Sequence, residues 1–175
     1  MRKHWRPAMA VALILLTATA AMPPEFHRFP AIVTIAYRVE RFGIPYSWGG
    51  GHAESPGPST GTCEGYRGRI KPCPAERTRG LDCSGLARWV YAMAHGRDVL
   101  GPGNTDDHVR QMRRVRAPVP GDLVFFGKVT KKYVKTHHVG IYLGHGMMMN
   151  APETGAQVRI DDIARRKDFA GYYRY

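Results

Sequence analysis

A cysteine, a histidine and an asparagine in this chain have the types and spacing for nucleophilic acyl chemistry. Cys83 lies in Leu81-Asp82-Cys83-Ser84-Gly85, ahead of Leu86, Trp89, Val90 and Met93 at helical intervals. The pattern predicts a helix from Cys83 to His95 with Asp82 as its N-cap. A thiol at a helix N-terminus sits at the positive end of the macrodipole, which favours the thiolate and lowers its pKa. Such a nucleophile needs a base to shuttle its proton. Among eight histidines, His138 opens the predicted strand Val139-Gly140-Ile141-Tyr142-Leu143. His137 precedes it, and strand alternation turns the two rings to opposite faces, so only one can meet a given cysteine.

The turn after that strand decides the third member. If Gly144-His145-Gly146 is a three-residue loop, Leu143 pairs with Met147 and Gly140 with Asn150. His138 is then the diagonal neighbour of Asn150 on one face, about 7–8 Å away between backbones. A two-residue loop shifts the register by one and separates them. Cys83, His138 and Asn150 therefore form a candidate nucleophile, base and orienter.

These residues need a scaffold, and 175 residues with 43% hydrophobic and 23% charged content allow one globular domain. From Pro30 to Phe42 an apolar stripe of Ile32, Ile35, Ala36, Val39 and Phe42 predicts a helix, with Gly43 as its stop. Tyr46-Ser47-Trp48-Gly49-Gly50-Gly51 reads as a short extended piece breaking into a glycine turn. Residues 51–80 carry Gly or Pro at ten positions and no periodic pattern, so they read as a long loop. A short polar helix is expected from Thr105 to Arg114 with Thr105 as cap. Strands are expected at 122–126, 139–143, 147–150, 157–160 and 171–175. Helices followed by antiparallel strands predict an α+β domain over 30–175.

The first twenty residues read as an export signal. Arg2, Lys3 and Arg6 precede an apolar stretch from Ala8 to Ala18, and Ala18-Thr19-Ala20 is a small-residue cleavage site. A short segment, 21–29, separates it from the domain. Cleavage lowers the net charge from +12 to +9. In an oxidising compartment two of the three cysteines pair and one is left as a thiol. Spacing alone does not choose the pair. Cys63 and Cys73 share the glycine- and proline-rich loop, whereas Cys83 does not, which makes Cys63–Cys73 the expected disulfide. The Cys-x9-Cys spacing lacks the close ligand pairs of structural zinc sites, so no metal is assigned.

Five blocks carry a family resemblance: Tyr46-Ser47-Trp48-Gly49-Gly50-Gly51, Leu81 to Leu86, Pro120-Gly121-Asp122-Leu123-Val124-Phe125-Phe126, His138 to Gly144, and Met149-Asn150-Ala151-Pro152. Their types and order resemble the NlpC/P60 family, bacterial cysteine peptidases that cut peptidoglycan stem peptides. The chain is most similar to secreted actinobacterial members with a Trp-Gly-Gly-Gly loop. The resemblance implies a papain-like fold, with Cys83 as nucleophile, His138 as general base and Asn150 at a third polar position that is most often histidine. It places Tyr46 beside the oxyanion, and Asp82 and Ser84 where some members contact the free amino end of a stem peptide. It implies cleavage between D-glutamate and the diamino acid, with no cofactor.

The expected partners are a stem peptide at the cleft and anionic wall polymers attracted by charge, at a secreted, wall-associated location. Basic residues cluster only briefly, at Arg110–Arg116 and Lys128–Lys135, without a nucleic-acid-binding motif, so nucleic acid is not an expected partner. Outside the N-terminus no apolar run is long enough to span a membrane. Two rival readings remain. An amidase or transpeptidase would use the same residues, and a non-catalytic cationic wall-binding protein would leave Cys83 inert.

Overall fold

The computed structural model describes residues 28–175; the expected export signal and nearly all of the 21–29 segment lie outside the described residues. Helix α1 (Arg28–Glu40) starts two residues before Pro30. It buries Ile32, Ala36 and Val39, but Phe42 is 66% exposed because the helix has already ended. Helix α2 (Cys83–His95) has the expected bounds: the Asp82 carboxylate accepts from the Gly85 N–H, and Gly96 closes the helix in the left-handed conformation. Helix α3 (Thr105–Arg110) is shorter than expected. Its cap is Asn104, whose side chain accepts from the N–H groups of Asp106 and Asp107 while Asp107 accepts from Asn104. Thr105 is buried instead and accepts a hydrogen bond from the Thr136 hydroxyl.

Among the described residues, six antiparallel strands follow: β1 (Arg113–Val115), β2 (Leu123–Val129), β3 (Val134–Gly144), β4 (Met147–Asn150), β5 (Arg159–Asp162) and β6 (Phe169–Arg174). They pair in the order β1-β6-β2-β3-β4-β5. This is the α+β papain-like architecture. Strand β1 was not expected, because an arginine-rich three-residue edge strand carries no alternating apolar signal. Strand β5 starts two residues later than expected. Val158 instead donates to the Ile44 carbonyl and Gln157 bridges to Pro45.

Alternation splits the core across the sheet. Leu123, Phe125, Val139, Ile141 and Met149 pack with the helices. Val124, Phe126 and Met148 form a smaller cluster with Ile163 on the other face. The β3–β4 turn reaches the expected register by another route. His145 and Gly146 both have positive φ and form a two-residue turn, so Gly144 pairs with Met147. A bulge at Leu143 then restores the pairing of Tyr142 with Met148 and Ile141 with Met149. One extra residue cancels the one-residue slip, and His138 and Asn150 stay on one face.

The first turn of α2 lies directly on the glycine turn. A Cβ on Gly85 would sit 2.3 Å from the Gly50 carbonyl oxygen and 2.8 Å from the Gly51 Cα. Both are backbone atoms, so nothing flexible can yield. Gly85→Ala is expected to destabilise the fold by about 1–3 kcal/mol through overpacking, read by denaturant unfolding; an unchanged midpoint would show that the two turns separate freely.

Candidate active site

Cys83, buried at the first position of α2, lines the cleft. The gap it fills is set by strand lengths. Tyr142 exchanges backbone hydrogen bonds toward β2, accepting from Gly121 and donating to Asp122. By alternation Val139 turns its N–H the other way, where β4 has already ended at Asn150. The Cys83 sulfur takes that place and is hydrogen-bonded by the backbone of Val139 and of Ser84.

His138 follows the β2 pairing onto the far face, with its ring 5.7 Å from that of Phe126. Its Nε2 lies 2.9 Å from the Asn150 Oδ1. The Asn150 Nδ2 donates to Asp161 Oδ2 at 3.0 Å and to the Arg159 carbonyl at 3.3 Å, which fixes the amide orientation. An amide oxygen can only accept, so Nε2 carries the proton and the Nδ1 lone pair is left to receive one. Burial, with the Arg166 charge, pushes His138 down to about 3, so the imidazole is neutral at rest.

The thiol is neutral as well. Burial, with the Asp82 charge, pushes Cys83 up to about 12 against the lowering effect of its two backbone donors. The helix terminus therefore does not make a resting thiolate, contrary to the expectation from the macrodipole.

Tyr46, Asp82 and Ser84 line one cleft of about 630 Å³ with Cys83. Tyr46 is held by its N–H to the Ala156 carbonyl and by a bridge to Leu81. Burial, with the nearby Asp82 charge, pushes its phenol well above the usual range, so it stays a donor. Asp82 caps α2 and also accepts from Ser84 Oγ at 2.9 Å.

Three participants carry no local sequence signal. His52 Nε2 lies 2.9 and 3.0 Å from the two Asp82 oxygens, and its Nδ1 lies 2.9 Å from the Pro102 carbonyl. Two acceptors call for two N–H donors, and although burial acts to lower His52, Asp82 outweighs it and raises its pKa. Arg166 sits 5.6 Å over the Phe126 ring, and its charge reaches Cys83, His138 and Tyr46. Asp161 holds Asn150, as described above. All three are joined to the site by folding: His52 directly follows the glycine turn yet meets Asp82 thirty residues on, and Asp161 and Arg166 lie beyond the last motif.

The 51–80 loop builds a cleft wall. Cys63 and Cys73 are joined as a disulfide, and Trp48 Nε1 donates to the Glu64 carbonyl at 2.7 Å. Thr62, Glu64 and Gly65 line the cleft together with Asn104 and Asp107.

Residues 43–170 match the model of the NlpC/P60 family. The chain belongs to that family. Peptidoglycan endopeptidase RipA of Mycolicibacterium smegmatis is 32% identical over 156 residues, 82% of this chain and 25% of RipA. The structure of the peptidoglycan hydrolase RipB of Mycobacterium tuberculosis aligns with a TM-score of 0.64 at 28% identity, covering 88% of this chain and 68% of that one. RipD of the same organism, described as a non-catalytic NlpC/P60 domain protein adapted to peptidoglycan binding, aligns with a TM-score of 0.61 at 26% identity over 85% of this chain and 96% of that one. This chain thus spans about a quarter of the length of the RipA it matches. Membership of this NlpC/P60 group fixes the fold and leaves catalysis to the site residues.

The neutral thiol yields a pH signature. Iodoacetamide should alkylate Cys83 in the folded, ligand-free protein more slowly than free cysteine at pH 7, and the rate should climb with pH through 9 without levelling. A plateau below pH 8 would contradict a thiol pushed up to about 12.

Proposed function

We propose that this protein is a secreted cysteine peptidase that hydrolyses an amide bond in peptidoglycan stem peptides, between D-glutamate and the diamino acid. The supporting observation is the arrangement around Val139. The Cys83 sulfur lies on the Val139 N–H, and the residue before Val139 is a neutral histidine oriented by Asn150. RipA and RipB, whose names describe peptidoglycan hydrolysis, support the substrate class.

In this mechanism a carbonyl carbon of the substrate meets the Cys83 sulfur as the thiol proton passes to His138 Nδ1, so no free thiolate has to accumulate. The N–H groups at a helix start lack intrahelical acceptors. That of Gly85 is taken by Asp82, while that of Cys83 is available to the developing oxyanion beside the Tyr46 hydroxyl. The imidazolium then protonates the leaving amine as the C–N bond breaks, leaving a thioester. Water, deprotonated by His138, hydrolyses the thioester and restores the thiol. Asp82 and Ser84 face the same cleft, where they can meet the amino end of the peptide. The excess positive charge acts at a distance, as a salt-sensitive attraction to anionic wall polymers.

RipD shows that this fold can be described as non-catalytic, which favours testing a binding role alongside. Purified peptidoglycan incubated with the protein should release fragments ending at D-glutamate, identified by mass. Cys83→Ala and His138→Ala should release none, and Asn150→Ala a reduced amount. Fragments from Cys83→Ala equal to those from the parent protein would end the cysteine peptidase reading. Sedimentation with peptidoglycan and no cleavage by any variant would favour the binding role.

A further inference from the structure

We propose that Asp161 is a positioning residue of the catalytic arrangement, setting the Asn150 amide and carrying a negative charge to His138 through it. The proposal rests on the cysteine peptidase reading above. Register brings the residues together: Asn150 pairs with Arg159 and Met148 with Asp161, so Arg159, Asp161, Met148 and Asn150 share one face of β4 and β5.

The amide has two orientations, and its surroundings accept one. As it stands, Oδ1 accepts from His138, and Nδ2 donates to the Asp161 carboxylate and the Arg159 carbonyl. Reversed, the amide oxygen would face a carboxylate and a carbonyl, and its NH2 would face the Nε2 proton. Asp161, together with the Arg159 carbonyl, therefore sets which end of Asn150 meets the histidine, and with it which ring nitrogen is free to take the thiol proton.

Charge is the second contribution. Asparagine is neutral, yet the base must become an imidazolium at each proton transfer. An amide that donates to a carboxylate presents a more negative oxygen at its other end. Asp161 is well placed to stay ionised: its side chain is 15% exposed, and Arg159 Nε donates to both of its oxygens at 3.0 Å. Burial acts to raise the carboxyl, but the hydrogen bonds from Asn150 and Arg159 outweigh it and hold it below its usual range. Arg159, Arg165, Arg166, Glu153 and Asp162 surround the same cavity of about 350 Å³. At His138 the charges of Arg166 and His137 oppose protonation, and that of Asp161 favours it.

The test uses Asp161→Asn, which keeps an acceptor oxygen but removes the charge, and Asp161→Ala, which removes both. A soluble stem peptide serves as substrate, and thermal unfolding of each variant is measured in parallel. Partners that orient metal-ligating side chains cost about 10–100-fold in affinity or activity when removed, and the same scale is expected for a partner that orients a catalytic histidine. The expected result is a kcat about tenfold lower for Asp161→Asn and about a hundredfold lower for Asp161→Ala, with KM within about twofold. In an Asn150→Ala background, Asp161→Asn should have no further effect, because the connection is already cut. The 15N shifts of His138 should report the Nε2–H tautomer in the parent protein and a tautomer mixture in Asp161→Ala. Unchanged kcat in both variants would overturn the proposal. So would an equal loss from Asp161→Asn with and without Asn150, or a loss explained wholly by lower unfolding temperature. Inactivity of the parent protein itself would instead remove the underlying peptidase reading, a separate outcome.

Discussion

The site depends on a hydrogen bond that a sheet would ordinarily use for pairing. Strand β4 stops at Asn150, and the Val139 N–H on β3 is left facing the start of α2, where the Cys83 sulfur occupies the vacated position. Burying that N–H without a partner would cost about 1–3 kcal/mol. The strand end and the helix start are therefore tied to one another. The glycine turn at Gly50 and Gly51 lets α2 approach closely enough to close the gap. The pairing of Pro45, Tyr46 and Ser47 with Leu81 and with residues 156–157 brings the cleft wall to the same point.

Burial at that junction also decides the charge state. A helix terminus favours a charge by about 0.3–1 kcal/mol in most settings. Raising a thiol from 9.0 to about 12 corresponds to roughly 4 kcal/mol in the opposite sense. Desolvation wins, and the resting pair is a thiol and a neutral imidazole. In the proposed mechanism, proton transfer then accompanies the attack itself. The pair must be poised by geometry, which gives weight to the chain of contacts from His138 through Asn150 to Asp161.

Much of this was legible in the sequence because it rests on local rules. Asp82 and the apolar spacing after Cys83 set α2 to the residue. The alternation expected to separate His137 from His138 is interrupted by a bulge at His137, which lines the cleft with Cys83. The shared face of His138 and Asn150 was also expected, although by a three-residue loop where the protein uses a two-residue turn and a bulge. What could not be read depends on distant partners. Residues 157–158 are drawn to the segment around Pro45, which displaces β5 by two residues and so sets where Asp161 falls. His52 gains its role from a carboxylate thirty residues away, and Arg166 from an aromatic ring on β2. The Thr105 cap failed because Asn104 offers a carbonyl to two N–H groups at once.

The central claim is that acyl transfer passes through the Cys83 sulfur. The most direct measurement is a single-turnover reaction with a stem peptide, quenched in acid across the time course and mapped by peptide mass. The account predicts an acyl adduct on the Cys83 peptide that forms and decays as product appears, with alkylation of Cys83 abolishing both. Product formed at the normal rate after Cys83 has been fully alkylated, with no adduct at any time, would contradict it.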